Sequence, residues 1–402
     1  MSTEAEAPTP ARFVRDETTW LAYLGLAYFA YLQSVLGPLM PFLRAELALD
    51  YTTAGFHFSA FALGSVAVGL LANPIGRRWG RRVAFWAGAA GMAPGALLLV
   101  ASPSPAGTVA GAALMGVLGV TLLATDQAIL ADGHRRWRGV ALAESNVAAS
   151  LATILASLAV GGFARTGLGW RAAVVAPLLV LGLLALRFRR TPIQGSRATK
   201  PAGGSAGGAG LPAAFWAYWA LLFLGVAAEW SVGLWGSEFL VSGVGLRRED
   251  AATAIGVFFA AMVGGRILGS RLALRVPVGR LLPASLVVAL AGFPLFWLGP
   301  GAVLSVVGLA VFGLGVANVY PLGLAAATAV VPDRSDVATA RVAIAGGGAG
   351  LVVPLALGWL ADRIGMEAAF GVAVPILGGA LAAAVLAPRL ASATTSGAGP
   401  SS

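Results

Sequence analysis

A glutamate stands inside the apolar run LFLGVAAEWSVGLWGSEFL, residues 222–240, with Trp230 beside it and Trp235 further along. An ionisable side chain inside a bilayer costs about 2.5–3.5 kcal/mol on insertion scales, and such groups usually face a water-filled cavity. Glu229 therefore predicts a site that takes up and releases a proton. The alternative is a structural hydrogen bond between two helices. Glu238, near the end of the same run, is expected to face water.

Two further ionisable residues fall within apolar runs, Asp126 and Arg266. Asp126 predicts either a second proton-coupling site or a structural ion pair near the cytoplasmic end of its helix. Arg266 needs a partner in the membrane. Its similar depth makes Asp126 a candidate for that partner, and a partner nearer in sequence is the favoured alternative. An Arg266–Asp126 pair would act as a gate.

Aromatic and amide side chains provide the candidates for lining a central cavity. Aromatic faces stack on sugar rings or flat apolar ligands, and an amide offers both a donor and an acceptor. Helix packing, or anchoring of Trp at the membrane interface, is the alternative for each of them. The candidates are Gln33, Trp230, Trp235, Asn318 and Tyr320.

The composition indicates the elements that position these residues. Of 402 residues, 58% are hydrophobic and only 11% are charged, whereas a soluble domain carries about 25% charged residues. Apolar runs of about 20 residues recur without strand-like alternation, so the spans must be helices. We predict an all-α membrane protein with twelve transmembrane helices, at roughly 19–43, 52–75, 82–102, 106–131, 139–164, 170–188, 213–243, 250–273, 280–299, 301–331, 338–362 and 367–388.

The basic residues predict the orientation. With the N-terminus inside, 20 Lys and Arg fall on the inner segments and 6 on the outer ones, as the positive-inside rule requires. We therefore expect a multi-pass protein of the cell membrane with both termini in the cytoplasm. The polar residues 1–18 are expected to form a cytoplasmic tail, and residues 390–402 a disordered one.

A polar Gly- and Ser-rich stretch divides the predicted helices six and six. RFRRTPIQGSRATKPAGGSAGGAG covers residues 187–210, and its composition predicts a flexible cytoplasmic linker at 189–211. The two flanking parts, 19–188 and 212–389, carry similar Arg-bearing turns. They predict two pseudo-symmetric six-helix bundles around a site at the membrane midplane.

Several function classes are disfavoured. Cysteine is absent, which excludes disulfides, Cys-based zinc sites and thiol catalysis. The two His lack metal-binding spacing, so we expect no metal, no cofactor and no intramembrane enzyme. The net charge of +10 is scattered over short loops, which argues against a nucleic-acid partner. The Gly runs at 160–162 and 345–350 lack the Lys-Ser/Thr of a phosphate loop and predict close helix contacts.

The stretch NPIGRRWGRR, residues 73–82, resembles the loop between the second and third helices of the major facilitator superfamily. It keeps Gly80 and three basic positions of that motif and departs from it with Asn73 and Arg77. The resemblance implies a role in gating for these basic residues, and we add Arg266 for its place inside a helix. The gating candidates are Arg78, Arg81, Arg82 and Arg266.

Four strings of the second half, LFLGVAAEWSVGLW, GGRILGSRLALRV, VYPLGLAAA and AGGGAGLVVPLALGWLADRIG, are similar in order to helices of the fucose–proton symporter branch. The first helix lacks the acid of that branch, and Leu122 stands at the acidic position of the fourth. The resemblance implies a monomeric, proton-coupled secondary transporter of a small, possibly sugar-like organic solute. Efflux of amphipathic compounds by proton antiport, or a receptor that does not translocate its ligand, is the alternative.

Overall fold

The structure is a computed structural model that describes residues 12–193 and 210–396, without the side chains of residues 65–79 and 393–396. We call residues 12–193 the N-terminal segment and residues 210–396 the C-terminal segment. Within these ranges the regular structure is helical. The α-helices are α1 (Glu17–Ser34), α2 (Leu36–Leu47), α3 (Tyr51–Ala101), α4 (Pro105–His134), α5 (Arg138–Arg165), α6 (Arg171–Phe188), α7 (Ala213–Ser242), α8 (Arg248–Leu272), α9 (Val278–Leu298), α10 (Ala302–Val316), α11 (Val319–Ala329), α12 (Ser335–Ile364), α13 (Met366–Phe370) and α14 (Ala373–Ser396).

Ten segments of the described chain are long and apolar enough to cross a membrane. One of them, Pro105–Arg165, is 61 residues long and contains both α4 and α5. A helix satisfies its own backbone hydrogen bonds in lipid, which is why apolar runs of this length fold as helices. The protein is therefore an all-α, multi-pass membrane protein.

Polar side chains begin several helices. Asp16 and Asp50 accept the backbone N–H of Thr19 and Thr53 at 2.8 and 2.6 Å and so start α1 and α3. Such N-caps satisfy one of the orphan N–H groups of a first turn. The pKa of Asp50, which lies in the turn before α3, is lowered by hydrogen bonds from the Thr53 hydroxyl and then from its N–H.

The first, second, third and tenth predicted spans differ in their course from a separate straight helix. The first divides at Val35 into α1 and α2, and the tenth divides at Ala317 and Asn318 into α10 and α11. The predicted second and third helices form the single long element α3, which bends at Gly80. The φ of Gly80 is +81°, a backbone conformation that residues with a Cβ rarely adopt.

Glycines allow some helix pairs to approach closely. A Cβ atom on Gly116 of α4 would overlap the carbonyl group of Phe61 in α3, and one on Gly308 of α10 would overlap Phe296 in α9. Small residues at such crossings let backbones pack directly in the absence of a hydrophobic driving force between helices. Gly116 therefore holds α3 against α4.

We expect Gly116→Val to destabilise the protein by about 1–3 kcal/mol, the usual cost of overpacking a tight contact. Thermal unfolding of the detergent-purified protein would measure this loss. Gly182→Val is the matched control, because no atom lies within 4 Å of a Cβ built on Gly182. Equal melting temperatures for the two variants would contradict the assigned α3–α4 contact.

The helix ends gather at two ends of the molecule. At one end, Arg15 before α1 forms an ion pair with Glu144 of α5, and Arg187 of α6 binds Glu17 of α1 at 2.8 Å. We call this the termini end, because α1 begins there, and so does α7, beside which α14 ends. At the opposite end, the last turns of α2 and α7 meet through an ion pair between Arg44 and Glu238.

Candidate functional site

A cavity of about 520 Å³ lies between the two segments. Helices α1, α4 and α5 form its N-terminal wall, and α7, α8 and α11 form its C-terminal wall. This volume lies within the range of roughly 300–1,000 Å³ that small-molecule sites occupy. The cavity is therefore large enough for an organic solute.

The N-terminal wall is polar, and none of the described residues that form it is charged. Ser34 of α1 donates a hydrogen bond to the Thr153 hydroxyl of α5 at 3.0 Å. Ser150 donates its own hydroxyl proton to the backbone carbonyl of Asn146 at 2.8 Å. The polar residues of this wall are Gln33, Ser34, Gln127, Asn146, Ser150 and Thr153.

The described residues that line the cavity include two charged ones, Glu229 and Arg266, and both lie on the C-terminal wall. Arg266 of α8 reaches across and donates to the hydroxyl of Ser150 at 3.4 Å. Glu229, near the middle of α7, interacts electrostatically with Arg266. No ion pair within 4.0 Å joins these two among the described residues, so both charged groups are available to a ligand or to water.

Aromatic rings complete the lining. Trp230 and Tyr320 lie on the C-terminal wall together with Phe258 and Phe259, and Phe29 faces them from α1. Flat apolar faces of this kind bind planar or ring-shaped bodies. The cavity thus combines one cation, one carboxyl group, neutral donors and acceptors, and aromatic surface.

Of the five cavity candidates from the sequence, the structure places Gln33, Trp230 and Tyr320 on the wall. The prediction for Trp235 is wrong in this conformation: its ring is fully buried, and its indole N–H donates to the Pro354 carbonyl at 3.0 Å. Asn318 is also away from the cavity. It donates to the Gly265 carbonyl at 2.7 Å and so fixes the break between α10 and α11 against α8.

Asp126 does not line the cavity. It is fully buried, and neither carboxyl oxygen has a hydrogen-bond partner among the described residues. A Cβ on Gly25 of α1 would lie 3.0 Å from one of its oxygens, so Gly25 makes room for it. The predicted gate between Asp126 and Arg266 is therefore not formed here, since Arg266 binds Ser150 instead.

The Arg residues of the loop motif act within the N-terminal segment. Arg81 forms an ion pair with Asp132 of α4. Arg82 donates to the Thr191 carbonyl at 3.0 Å, which ties α3 to the residues after α6. Arg78 lies outside the residues whose side chains are described. Neither Arg81 nor Arg82 reaches the C-terminal segment, so the predicted gating contact between the segments is absent at these two positions.

Hydrogen bonds between the two segments gather at the end opposite the termini, which we call the sealed end. Asp362 of α12 accepts the backbone N–H groups of Tyr51 and Thr52 at 2.8 Å each. Arg165 of α5 binds Asp250 of α8 at 2.6 Å. At the termini end, the ion pairs Arg15–Glu144 and Arg187–Glu17 each lie within one segment.

Glu238 corrects an expectation from the sequence. It is 3% exposed rather than facing water, and it pairs with Arg44 of α2. The guanidinium of Arg44 also lies 3.7 Å from the ring centre of Tyr51. Arg44 and Glu238 thus form a largely buried ion pair that joins the two segments.

Sequence reasoning missed the polar residues of α5 that line the cavity. Asn146, Ser150 and Thr153 are spaced four and three residues apart, so they share one face of the helix. This spacing was a usable signal. No pattern in the sequence indicates the role of Arg44, because its partner Glu238 lies 194 residues away in the chain.

The two Gly runs behave differently. A Cβ on Gly161 would overlap Thr253 of α8, which agrees with the predicted close contact. In the second run, Gly347 has no atom within 4 Å of such a position, and Gly350 has only Ala62 and Trp230 at 4.0 Å. The second run borders a small cavity beside Gln33 and therefore leaves space rather than filling it.

No group of three or more His, Cys, Asp or Glu side chains in the described residues could hold a metal ion. The donors of the cavity, which are amides, hydroxyls, one guanidinium and one carboxyl group, suit an organic ligand.

Comparison with known proteins agrees with this architecture. The chain is 24% identical over 366 residues to an uncharacterized MFS-type transporter of Yersinia pestis, covering 88% of this chain and 89% of the relative. A bacterial homologue of the human lysosomal transporter Spinster, in an inward-facing and unoccupied conformation, is similar with a TM-score of 0.74 at 15% identity, over 96% of this chain and 98% of the other. For the nucleoside transporter NupG the TM-score is 0.70 at 14% identity, over 93% and 98%.

These structural likenesses show a shared fold. The Major Facilitator Superfamily profile matches residues 22–317, which is more than half of the 402 residues. The chain therefore belongs to the Major Facilitator Superfamily of membrane transporters.

Proposed function

We propose that the protein is a secondary active transporter that moves a small organic solute, of sugar-like size, across the cell membrane together with protons. The observation that carries this proposal is the cavity between two segments that are bonded to each other at one end. Such a cavity can open to either side when the segments rock about it. The glutamate on its wall, Glu229, supplies a group that can exchange a proton with each side in turn.

The proposed architecture is that of twelve spans in two six-helix bundles, 19–188 and 212–389, joined by the cytoplasmic linker 189–211. The positions of α1 to α14 support this count if α1 and α2, α10 and α11, and α13 and α14 each form one broken span and α3 forms two. Residues 194–209 of the linker lie outside the described residues, as do parts of both tails. We propose a monomer, because one chain encloses the cavity.

We propose that the termini end faces the cytoplasm, on the strength of the charge bias in the loops. The sealed end then faces outward, and the structure represents an inward-facing state. Arg44–Glu238 and the bonds of Asp362 and Arg165 would close the outer side. They would have to break each time the cavity opens outward.

Two carboxyl groups are proposed to carry the proton. Glu229 has direct access to the cavity, whereas Asp126 is sealed between α1 and α4. A buried carboxyl group without a hydrogen-bond partner is costly, so a functional reason for its presence is expected. We propose that movement of α1 past Gly25 connects Asp126 to water in another state of the cycle.

We keep the fucose–proton symporter branch as the proposed relationship within the superfamily, because four strings of the second half match it in order. Symport is favoured over proton antiport, since the fifth helix lacks the Gly-Pro of the antiporter signature. Export of an amphipathic compound is the second candidate, and the aromatic lining of the cavity is the observation that favours it.

Reconstitution into liposomes would test the proposal. A thermal-shift screen of L-fucose, uridine, 4-hydroxybenzoate and a cationic dye first selects a solute that stabilises the purified protein. An inward proton gradient should then drive accumulation of that solute. A gradient that drives the solute outward would show efflux instead. A solute that binds but shows no counterflow would identify a receptor and overturn the proposal.

A further inference from the structure

Arg266 is a cation exposed in the cavity, and no described residue forms an ion pair with it. Its one hydrogen bond to a described residue is the long one to Ser150, at 3.4 Å. The hydroxyl of Ser150 donates its hydrogen bond to the backbone carbonyl of Asn146. Arg266 therefore donates to a lone pair of the Ser150 oxygen. A guanidinium carries five N–H donors in a planar fork that matches a carboxylate. Most of these donors are therefore left for water or for a ligand.

Among the described residues, one other charged group, Glu229, lines the cavity. Glu229 lies on α7, and the groups that face it are Arg266 on α8, the phenol of Tyr320 on α11, and neutral amides and hydroxyls on α1, α4 and α5. One cation and one carboxylate balance each other in the empty cavity. An anion bound at Arg266 would leave one excess negative charge, which a site of low dielectric constant disfavours.

The remaining lining suits the body of such an anion. Trp230 and Phe259 offer flat faces on the wall that carries the charges, and Gln33 and Thr153 offer polar groups on the wall opposite. Rings, whether aromatic or of a sugar, bind to surfaces of this kind. A doubly charged anion would exceed the single available cation, so a monoanion fits best.

Resting on the proposed function, we infer that the transported solute is an organic monocarboxylate whose carboxylate binds the guanidinium of Arg266 while its ring lies against Trp230 and Phe259. The proton that enters with it is taken up by the carboxyl group of Glu229. The O–H bond formed on Glu229 is the one covalent change, and its proton comes from the medium on the side of entry. One carboxylate and one proton enter together, so the loaded cavity has the same net charge as the empty one and reorients without moving charge.

Isothermal titration of the detergent-purified full chain tests this inference. The probes are 4-hydroxybenzoate, indole-3-acetate and D-galacturonate, each compared with its uncharged primary amide. At least one carboxylate should bind roughly ten- to a hundredfold more tightly than its amide, the ratio expected for a charge-assisted hydrogen bond. Titration in two buffers of different ionisation enthalpy should show uptake of about one proton per carboxylate.

Variants locate both effects. Arg266→Gln should remove the preference for carboxylate over amide, and Arg266→Lys should weaken it, because Lys lacks the planar fork. Arg271→Gln, an exposed residue of the same helix outside the cavity, should leave the preference unchanged. Glu229→Gln should remove the proton uptake that accompanies binding.

Two results would overturn the inference: amides that bind as tightly as every carboxylate, or a preference that survives in a folded Arg266→Gln protein. Proton-driven transport of L-fucose without any carboxylate preference would reject the inference and leave the proposed function intact. Carboxylate binding that depends on Arg266, without counterflow of the bound probe, would reject the proposed transport and retain only a carboxylate-binding site at Arg266.

Discussion

Glu229→Gln should abolish proton-driven accumulation of the solute. One pH unit across the membrane is worth about 1.4 kcal/mol and can therefore support roughly tenfold accumulation by a carrier that moves one proton with each solute. Glutamine has nearly the same shape as glutamate but cannot bind and release a proton at this site. The accumulation ratio of the variant should fall from about ten to one, measured in liposomes with an imposed gradient of one unit.

The control for this substitution is Glu367→Gln, which makes the same chemical change at an exposed residue of α13 outside the cavity. It should accumulate solute as the unmodified protein does. Counterflow without a gradient shows whether Glu229→Gln still loads and releases solute. Full accumulation by Glu229→Gln would mean that another group carries the proton, and Asp126→Asn would then be the variant that loses coupling.

A disulfide across the sealed end should stop transport. The chain contains no Cys, so introduced thiols are the only ones present. A Cβ on Gly55 of α3 would lie 3.1 Å from the Cα of Leu355 in α12, on the other segment. With a Cα–Cβ bond of about 1.5 Å, the two Cα atoms are at most about 4.6 Å apart, the short end of the range that a disulfide bridges. In Gly55→Cys/Leu355→Cys, oxidation should reduce counterflow by about tenfold or more, because the segments can no longer part at this end.

Reduction of the same sample should restore the rate, which shows that the loss comes from the bond. Each single Cys variant, treated with the same oxidant, controls for the tight fit at Gly55, where a Cβ would also lie 3.1 Å from the Pro354 carbonyl oxygen. A fully cross-linked protein that exchanges solute at the normal rate would show that the sealed end does not open during transport.

The sequence was a good guide to what crosses the membrane and a poorer guide to what faces the cavity. Apolar runs and the cost of burying charge were enough to find Glu229 and Arg266, and both line the cavity. Trp235 and Asn318 were misplaced because composition does not specify how a helix is rotated against its neighbours, which packing decides. Both use their polar groups to bind backbone carbonyls instead.

Contacts between distant parts of the chain could not be predicted from the sequence, for a related reason. Arg44 and Glu238 each lie near a predicted helix end, where charged residues are common because water and loops accommodate them. Neither residue therefore signals a partner in the sequence. Only the packing of α2 against α7 shows that they bind each other. Asp126 is a similar case, because its isolation depends on Gly25 and on helices far from it in sequence.

The clustering of inter-segment bonds at a single end has a pharmacological consequence. A blocker too polar to cross lipid would find its binding surface shielded by Arg44, Asp362 and Arg165 if it were applied from their side. The same compound applied from the termini end would reach Trp230 and Arg266 directly. Inhibition of the resting carrier should therefore be one-sided, and its sidedness would reverse in any variant that rests in the opposite orientation.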